Sequence, residues 1–543
     1  MIYRLREEGY EIMYEFFFPI LFRIANRFPW LVRIVSRITW LRRFISDAFI
    51  NWQAYSTNPR PRPFSLASSY TTWQSLTDKS FTGRHLPEAE GDQNLPDMEG
   101  VVDLWRRKEN KEIPSVDTSI LFAFFAQWFT DSFLRTDFRD RRKNTSNHEI
   151  DLCQVYGLRE EITHYLRLKK DGKLKYQIID GEIFPPYLFN VEETTTGNWV
   201  FADKEFEKLQ PREVLDFVFS NVPEERLKRM FATGLENGNS SVGYTIMNTV
   251  MLREHNRICD LLKEAYPTWD DERLFQTARN IMVVLLIKVV LADYVSRFTQ
   301  FGFTLDPSPD LAERQRWYRT NWISLEFNLL YRWHSMVPEN YRVGNKLYQL
   351  DEFRNNTPLA IQHGIGSLIT AASMQRAGLI GLHNTHNYFF YPLPIADDNR
   401  SVMERSIAMG RQARLRPFND YREAFNMPRL RSFEELTEDS ELQRELKDLY
   451  KDRIDDLEWQ VGIFAEDHDE GFSLGRLMVR MVGYDAFTHA LTNPLVSIYV
   501  HTEKTFSRVG QSVIEETSSL ADIVKRNVKD SDTVIASFNT SIQ

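Results

Sequence analysis

Long stretches with the periodicity of amphipathic helices dominate this chain of 543 residues. Helical patterns are predicted for residues 119–136, 243–265, 271–301, 312–336, 400–414 and 475–492. A short strand is predicted at 176–179, beside the Asp180-Gly181 turn. Strands and helices do not alternate and no internal repeat is visible, so the pattern predicts a mainly α fold. The polar tail from about residue 517 is expected to be poorly ordered.

The composition is that of a folded protein with an acidic balance. Apolar residues make up 42% of the chain, charged residues 26%, and the net charge is −9. An acidic chain is a poor candidate for general nucleic-acid binding. Only Cys153 and Cys259 occur, without metal-type or disulfide-type spacing, so an oxidising compartment is not required.

Residues 14–52 combine apolar aromatic residues with regularly placed arginines. Pro19 and Pro29 divide the segment into short helices, each too short to span a bilayer. Arginine recurs at positions 23, 27, 33, 37, 42 and 43, and tryptophan at 30, 40 and 52. This pattern is typical of helices lying in a membrane interface. The arginines interrupt any signal-peptide core, so no cleavable signal is evident. The alternative is a set of helices packed on the protein's own core.

A proline-rich connector at 54–66 follows and cannot be regular helix. From these features we expect peripheral, monotopic membrane association, on the cytoplasmic side.

The stretch from Glu326 to Glu339 carries the strongest chemical signal. Tyr331 and His334 stand three residues apart, which would put both on one face if the stretch is helical. An imidazole is a natural axial ligand for haem iron, and a nearby tyrosine could exchange an electron with that haem. The alternative is a buried amphipathic helix with a satisfied histidine.

Several further segments accompany this motif. They are Arg253-Glu-His-Asn-Arg257, Thr268-Trp269, Leu274–Arg279, Asp171–Tyr176, Asp180-Gly-Glu, Pro185-Pro186, Phe433–Thr437 and Asn493-Pro494. Together they resemble the cyclooxygenases of the animal haem peroxidase superfamily over roughly residues 100 to 500. The resemblance implies the helical haem peroxidase fold, with membrane-binding helices at 1–55 and a haem-dependent dioxygenase domain at 56–543. It also implies a haem (iron protoporphyrin) with His334 as the proximal ligand.

Phe124–Thr136 resembles the distal-haem helix of the same family. Gln127 and Asp131 are four residues apart, so a helix presents both to one side. Gln127 matches the family's distal glutamine, whereas Asp131 stands where the family has its distal histidine. Loss of a placed acid–base group typically lowers a rate by about 10² to 10⁴. Asp131 could take that role only if burial raised its pKa; the alternative is a polar residue without catalytic duty.

The activity implied by the resemblance is dioxygenation of a polyunsaturated fatty acid such as linoleate. The Tyr331 radical would remove hydrogen from a CH₂ between double bonds, and O₂ would add to the carbon radical to give a fatty-acid hydroperoxide, an oxylipin precursor of lipid metabolism. Two alternatives stay open: a haem peroxidase acting on small reductants, and a non-catalytic haem- or lipid-binding protein. Cyclooxygenases are homodimers, so a homodimer is expected.

Substrate residues are harder to transfer from the family. Tyr294 and Val295 match channel residues. The channel mouth differs: Phe301 replaces a tyrosine, Arg480 a glutamate, Ala486 lies near a channel serine, and the mouth arginine falls near Gln53 or Ala54. Arg480 is the first candidate for binding the fatty-acid carboxylate, with Arg60 and Arg62 as weaker ones. These changes predict a simple hydroperoxide rather than an endoperoxide.

The remaining histidines are expected to serve packing or the surface. These are His148, His255, His383 and His386. His383 and His386 have a spacing that could suit a metal, but no cysteine or acidic partner is close in sequence.

Overall fold

The computed structural model describes residues 20–540, except for 22, 26, 56–63, 92, 196, 299–303, 309, 316, 394–397 and 470–472. Its α-helices are α1 (Pro29–Arg37), α2 (Thr39–Tyr55), α3 (Trp73–Thr77), α4 (Met98–Asp103), α5 (Ile120–Thr130), α6 (Cys153–Tyr156), α7 (Glu160–Leu166), α8 (Arg212–Phe219), α9 (Glu224–Leu227), α10 (Val242–Ala265), α11 (Asp271–Val289), α12 (Leu325–Leu330), α13 (Leu350–Phe353), α14 (Pro358–His363), α15 (Ile365–Met374), α16 (Val402–Gln412), α17 (Phe418–Ala424), α18 (Ser440–Tyr450), α19 (Trp459–Ala465), α20 (Arg476–Leu491), α21 (Glu503–Glu516) and α22 (Leu520–Asn527). The predicted mainly α fold is confirmed.

Short strands form four antiparallel ribbons in the described part of the chain. They are β1 (Phe64–Ser65) with β2 (Gly83–Arg84), β3 (Pro114–Ser119) with β8 (Arg376–Gly378), β4 (Gln177–Ile179) with β5 (Glu182–Phe184), and β6 (Asn340–Val343) with β7 (Lys346–Gln349). The predicted strand at 176–179 is β4. It turns at Asp180-Gly181 so that Ile178 pairs with Ile183.

Helix α10 is the centre of the core. The Ser241 side chain caps it by accepting a hydrogen bond from the Tyr244 N–H over 3.2 Å. Every residue from Val242 to Asn256 is buried, and α5, α11, α15, α21 and α22 pack around it. Helix α5 is apolar on nearly all sides, so it too lies inside the molecule, and its packing on α10 fixes where Gln127 points.

The prediction of a continuous helix at 312–336 is wrong. Ala312–Arg314 forms only a 3₁₀ turn, and the described residues between it and Ser324, which caps α12, are not helical. The Ile323 N–H donates to His148 Nδ1 over 3.0 Å, which holds this segment to a distant part of the chain. Tertiary hydrogen bonds of this kind override helix propensity.

The prediction that the tail from about residue 517 is poorly ordered is also wrong. Leu520, Ile523 and Val524 form the buried face of α22. Beyond it, Phe538 is 2% exposed, and its ring centroid lies 5.1 Å from that of Phe125. Apolar residues at helical spacing among polar neighbours are sufficient to seat this segment on the core.

The N-terminal helices α1 and α2 are exposed at their start and buried toward their end. Helix α1 buries none of its residues, and Trp30 and Trp40 are 57% and 71% exposed. Farther on, Ile50 is fully buried where α2 packs on α20. Residues 14–19 of the predicted amphipathic segment and most of the connector at 54–66 lie outside the described residues.

One helical segment among the described residues, Asp271–Tyr294, is long and apolar enough to cross a membrane by length and composition. Buried residues make up 78% of its apolar window, as expected for a core helix. The Arg42 guanidinium on α2 donates to Asp306 over 2.7 Å and ties the amphipathic helices to the body of the protein.

Candidate active site

A cavity of about 1140 Å³ lies beside the C-terminal end of α5. Its lining includes Gln127 and Asp131 from the end of α5, and Tyr331, Trp333 and His334 from the segment after α12. Ordinary ligand pockets enclose roughly 300–1,000 Å³, so this one has room for a porphyrin-sized cofactor. The structure therefore brings together the tyrosine, imidazole, amide and carboxyl groups that the sequence singled out.

Tyr331 and His334 do not share the face of a helix, as their spacing had suggested. Helix α12 ends at Leu330, and Tyr331 follows with φ −83° and ψ 5°. The His334 N–H donates to the Arg332 carbonyl over 2.8 Å, and a 3₁₀ turn begins at His334. This tight turn, rather than helical periodicity, presents both side chains to the cavity.

The His334 imidazole is held as a neutral ring. Burial, and secondarily the Arg332 cation, lower its pKa to about 3. Its Nδ1 lies 3.3 Å from Met403 Sδ, and its ring stacks on Phe389 with centroids 4.5 Å apart. Its Nε2 makes no hydrogen bond with the described residues. A neutral imidazole with one nitrogen engaged and the other directed to no protein group suits an axial metal ligand.

Tyr331 lies deep in the protein but keeps part of its surface open to the cavity. Its ring contacts Phe327 and Trp333, with centroid distances of 5.0 and 4.5 Å. Burial raises the pKa of Tyr331; the Tyr294 hydroxyl partly offsets this, and the Asp485 carboxylate adds to it. The phenol is therefore neutral at physiological pH, so its oxidation must release a proton as well as an electron.

Tyr294 reaches Tyr331 through a break in regular helix. The predicted helix at 271–301 is α-helical to Val289, then forms a π-helical turn at Val290–Tyr294. The Tyr294 ring stacks on Phe122, with centroids 4.7 Å apart. Its buried hydroxyl interacts with that of Tyr331 without regular hydrogen-bond geometry. A π-helical turn inside a helix is frequent at functional sites.

Val295 is 4% exposed and begins the 3₁₀ turn Val295–Phe298 that follows Tyr294. Neither Tyr294 nor Val295 is among the residues that line the cavity. Phe301, the other residue predicted here, lies outside the described residues.

The Gln127 amide and the Asp131 carboxyl form the polar end of α5. Gln127 Oε1 accepts a hydrogen bond from the Ser241 hydroxyl over 3.2 Å. Burial raises the pKa of Asp131 to about 7, the condition under which an aspartate can exchange protons near neutral pH.

Neighbouring polar and charged groups also shift the pKa of Asp131. The Arg135 guanidinium lowers its pKa, the Glu236 carboxylate raises it, and contacts from Tyr244 and Asn237 lower it. Arg135 and Glu236 pair over 2.7 Å, so their opposing effects are linked.

Arg480 is not among the residues that line this cavity. It lies on α20, with its guanidinium 5.5 Å from the centre of the Trp52 ring on α2. Gln53, also on α2, approaches Gly483 of the same helix. The arginine therefore lies where the amphipathic helices join the body. Ala486 is half-buried on α20, and Arg60 and Arg62 lie outside the described residues.

The other predicted histidines are engaged by protein groups, as expected for packing roles. His255 pairs with the Tyr156 hydroxyl over 2.8 Å. His148 accepts from a backbone N–H, and His383 and His386 each contact a glutamate. Among the described residues, no group of three or more histidine, cysteine or acidic side chains could hold a metal ion.

Sequence reasoning missed a buried polar pair behind Tyr331. His85 Nε2 and Asp485 Oδ2 lie 2.7 Å apart, and both residues are less than 10% exposed. It also missed Met403 and Phe389, which hold the His334 ring. These partners are far from the motif in sequence, and nothing in their local pattern marks them.

Comparison with known proteins identifies the family of the chain. The family model for the animal haem peroxidases matches residues 132–538. The chain belongs to the animal haem peroxidase family. Prostaglandin G/H synthase 1 of Mus musculus is 36% identical over 485 residues, covering 87% of this chain and 75% of that protein. Prostaglandin G/H synthase 2 of Gallus gallus is 34% identical over 485 residues, covering 86% and 74%.

Solved structures share the fold at lower identity. Fatty acid alpha-dioxygenase of Arabidopsis thaliana has a TM-score of 0.70 and 17% identity, covering 98% of this chain and 97% of that one. Peroxidase A of Dictyostelium discoideum has a TM-score of 0.66 and 18% identity, covering 89% and 100%. Haem is the cofactor of this family, which confirms the predicted cofactor. The neutral imidazole of His334 and the large cavity beside it fit that group.

Proposed function

We propose that this animal haem peroxidase is a fatty-acid dioxygenase that inserts O₂ into a polyunsaturated, linoleate-like acyl chain through a Tyr331 radical. The observation that carries the proposal is that Tyr331 and a neutral His334 line one cavity of about 1140 Å³. The similarity to prostaglandin G/H synthases, and the fold shared with a fatty acid alpha-dioxygenase, support an acyl chain as the substrate class.

The chemistry assigned to the chain is hydrogen-atom transfer. Bound haem, with His334 as its proximal ligand, supplies an oxidant for a phenol once peroxide is present. Tyr331 gives up one electron and one proton, and its phenoxyl oxygen then takes a hydrogen atom from the CH₂ between two double bonds. O₂ adds to the resulting carbon radical. The peroxyl radical takes a hydrogen atom from Tyr331, which releases the hydroperoxide and restores the tyrosyl radical.

Asp131 and Gln127 are proposed to manage peroxide. With a pKa of about 7, Asp131 is partly ionised at neutral pH and can accept a proton from peroxide and return it. The Gln127 amide, whose oxygen accepts from Ser241, would offer its N–H to an oxygen of the peroxide substrate.

The acyl chain is proposed to enter beside α2 and to pass Tyr294 and Val295. The aromatic wall around Tyr294 suits a hydrocarbon. Arg480, at the junction of α2 and α20, is proposed to bind the carboxylate there. Entry at this junction fits a substrate that arrives from a membrane.

Residues 1–55 are proposed to form that membrane contact, and 56–543 the catalytic domain. Trp30, Trp40 and Phe44 are each more than half exposed, and arginines alternate with them along α1 and α2. The buried free thiols of Cys153 and Cys259 accord with the cytoplasmic face. The homodimer stays a prediction, for analytical ultracentrifugation to test.

Oxygen uptake by haem-reconstituted protein with linoleate tests the proposal. We expect uptake in the wild type, none in Tyr331→Phe, and normal uptake in Tyr348→Phe. Tyr348 is a matched control, because it is a buried tyrosine that does not line the cavity. Equal uptake in Tyr331→Phe and the wild type would exclude Tyr331 as the oxidant. No uptake by haem-saturated wild type would remove the proposed activity toward linoleate.

Peroxidase turnover of small reductants is the second candidate. The near-neutral pKa of Asp131 favours it, because a proton-exchanging carboxyl can replace a distal histidine. Peroxide-dependent oxidation of a phenolic dye that persists in Tyr331→Phe, without linoleate uptake in the wild type, would favour this candidate.

A further inference from the structure

Arg332 is a half-buried cation without an acidic partner among the described residues. Its Nη1 donates to Ser406 Oγ over 2.7 Å, and its Nη2 to Asn328 Oδ1 over 3.0 Å. A third contact, from Nη2 to Met409 Sδ, is 3.4 Å long. All three acceptors are neutral. A desolvated guanidinium is costly unless an anion completes its environment.

A second arginine increases the positive charge at this place. Arg141 is half-buried, makes no hydrogen bond or ion pair within the described residues, and lies within electrostatic range of Arg332. Its other charged neighbours are Arg400, Arg405 and Asp398. Asp398 is already engaged by Arg400 and Arg405, over 2.9 and 3.2 Å. In the described part of the cluster, four guanidinium groups thus face one carboxylate.

The cluster adjoins the edge of the haem cavity. Arg332 lines the cavity and stands two residues before His334. Helix α16 contacts both, through Met403 at His334 and Ser406 at Arg332. Asn328, which accepts from Arg332, donates to Thr136 Oγ1 over 3.2 Å. Helix α12 therefore meets the segment after α5 at this point, beside the α16 flank of the cavity.

We propose that Arg332, supported by Arg141, binds a propionate carboxylate of the haem and thereby fixes the orientation of the porphyrin about the His334 axis. Haem carries two propionates, and guanidinium is the side chain best suited to a carboxylate. The site would direct the propionate edge of the porphyrin toward α16. The inference concerns the cofactor and does not depend on which substrate is oxidised.

The test is a titration of apoprotein with haem, followed by Soret absorbance, on the wild type and on Arg332→Met. We expect the variant to bind haem about ten- to a hundredfold more weakly, the range for a hydrogen-bonded charge. Arg332→Lys should recover part of the loss. Arg354→Met is the matched control, because Arg354 also lines the cavity but stacks on Tyr388, 4.0 Å away. Its affinity for haem should stay near that of the wild type.

Haem dimethyl ester, in which the propionates are uncharged, separates recognition from a general loss of packing. Esterification should weaken binding to the wild type by a similar factor and change binding to Arg332→Met little. An equal effect of esterification on both proteins would overturn the proposal, as would unchanged haem affinity in Arg332→Met. If haem affinity is unchanged and the KM for linoleate rises, the carboxylate bound here is that of the fatty acid, and the proposal is wrong. Oxygen uptake at saturating haem tests the proposed function separately.

Discussion

His334 Nδ1 lies 3.3 Å from the sulfur of Met403, so the ring nitrogen that faces the protein meets a weak acceptor. A carbonyl or carboxylate in that position would make the imidazole a stronger electron donor to a bound iron. The thioether leaves it closer to a simple neutral ligand. With His334 as the proposed proximal ligand, we expect helix α16 to set the electron donation of the imidazole through this one side chain.

Replacing Met403 by asparagine is expected to lower the reduction potential of the haem iron by on the order of tens of millivolts, because an amide oxygen accepts the Nδ1–H more strongly. Spectroelectrochemical titration measures this shift. Met409→Asn is the matched control: it lies on the same helix and contacts Arg332 instead of His334. Identical potentials in Met403→Asn and the wild type would show that Met403 does not tune the ligand.

Peroxide-dependent haem oxidation is expected to accelerate as pH rises through about 7. Below that pH the Asp131 carboxyl is protonated, and above it the carboxylate can act as the base. Asp131→Asn should be slower by about 10² to 10⁴ and insensitive to pH in this range. Stopped-flow mixing with hydrogen peroxide measures both effects.

Glu236→Gln provides a sharper form of the same test. Glu236 raises the pKa of Asp131 and also pairs with Arg135, which lowers it. Removing the Glu236 charge should therefore move the pH profile to lower pH without abolishing the rate. A profile that stays in place would contradict the assignment of the pH dependence to Asp131.

Tyr294→Phe is expected to retain linoleate-dependent oxygen uptake within about tenfold, because the lost interaction with Tyr331 is at most a weak hydrogen bond. Removing a buried hydroxyl without regular hydrogen-bond geometry should leave the melting temperature equal or higher. Oxygen electrode and calorimetric measurements test the two statements. Complete loss of uptake in a folded variant would instead make Tyr294 an obligatory partner of the radical.

Trp30→Ser combined with Trp40→Ser is expected to reduce flotation with phospholipid vesicles by at least tenfold, since large exposed apolar side chains contribute most to interfacial binding. A matched pair of changes, Tyr70→Ser with Trp73→Ser, removes aromatic rings that are 73% and 80% exposed outside α1 and α2. That control should float like the wild type. Equal losses in both variants would mean that α1 and α2 are not the membrane contact.

The local motifs were predictable from sequence because their residues are close along the chain. Gln127 and Asp131 are contributed by the end of one helix, and Tyr331 and His334 by one tight turn, so closeness along the chain keeps each pair together. The shared helix face predicted for Tyr331 and His334 was wrong. The backbone that presents Tyr331 was not predictable. It depends on the non-helical segment before Ser324, which a hydrogen bond from the Ile323 N–H to His148 holds in place.

The supporting partners could not be found in the same way. His85 and Asp485 are 400 residues apart, and their contact exists only after α20 has packed. Phe538 lies in a tail whose polar composition suggested disorder, yet the core offers a place for its ring. The free energy gained by burying a side chain in a tertiary site can outweigh the local preference of its segment. Such a site is formed by residues from several distant segments, so no single segment predicts it.

Because Val290–Tyr294 forms a π-helical turn, the number of residues in this segment determines where Tyr294 points. Each residue added to or removed from an α-helix rotates everything beyond it by about 100°. Deleting a single residue before Tyr294 would turn that ring away from Tyr331, even though every side chain of the site were kept. In this segment, substitutions should therefore be tolerated far better than insertions or deletions, and related chains that share the proposed radical site should preserve its residue count.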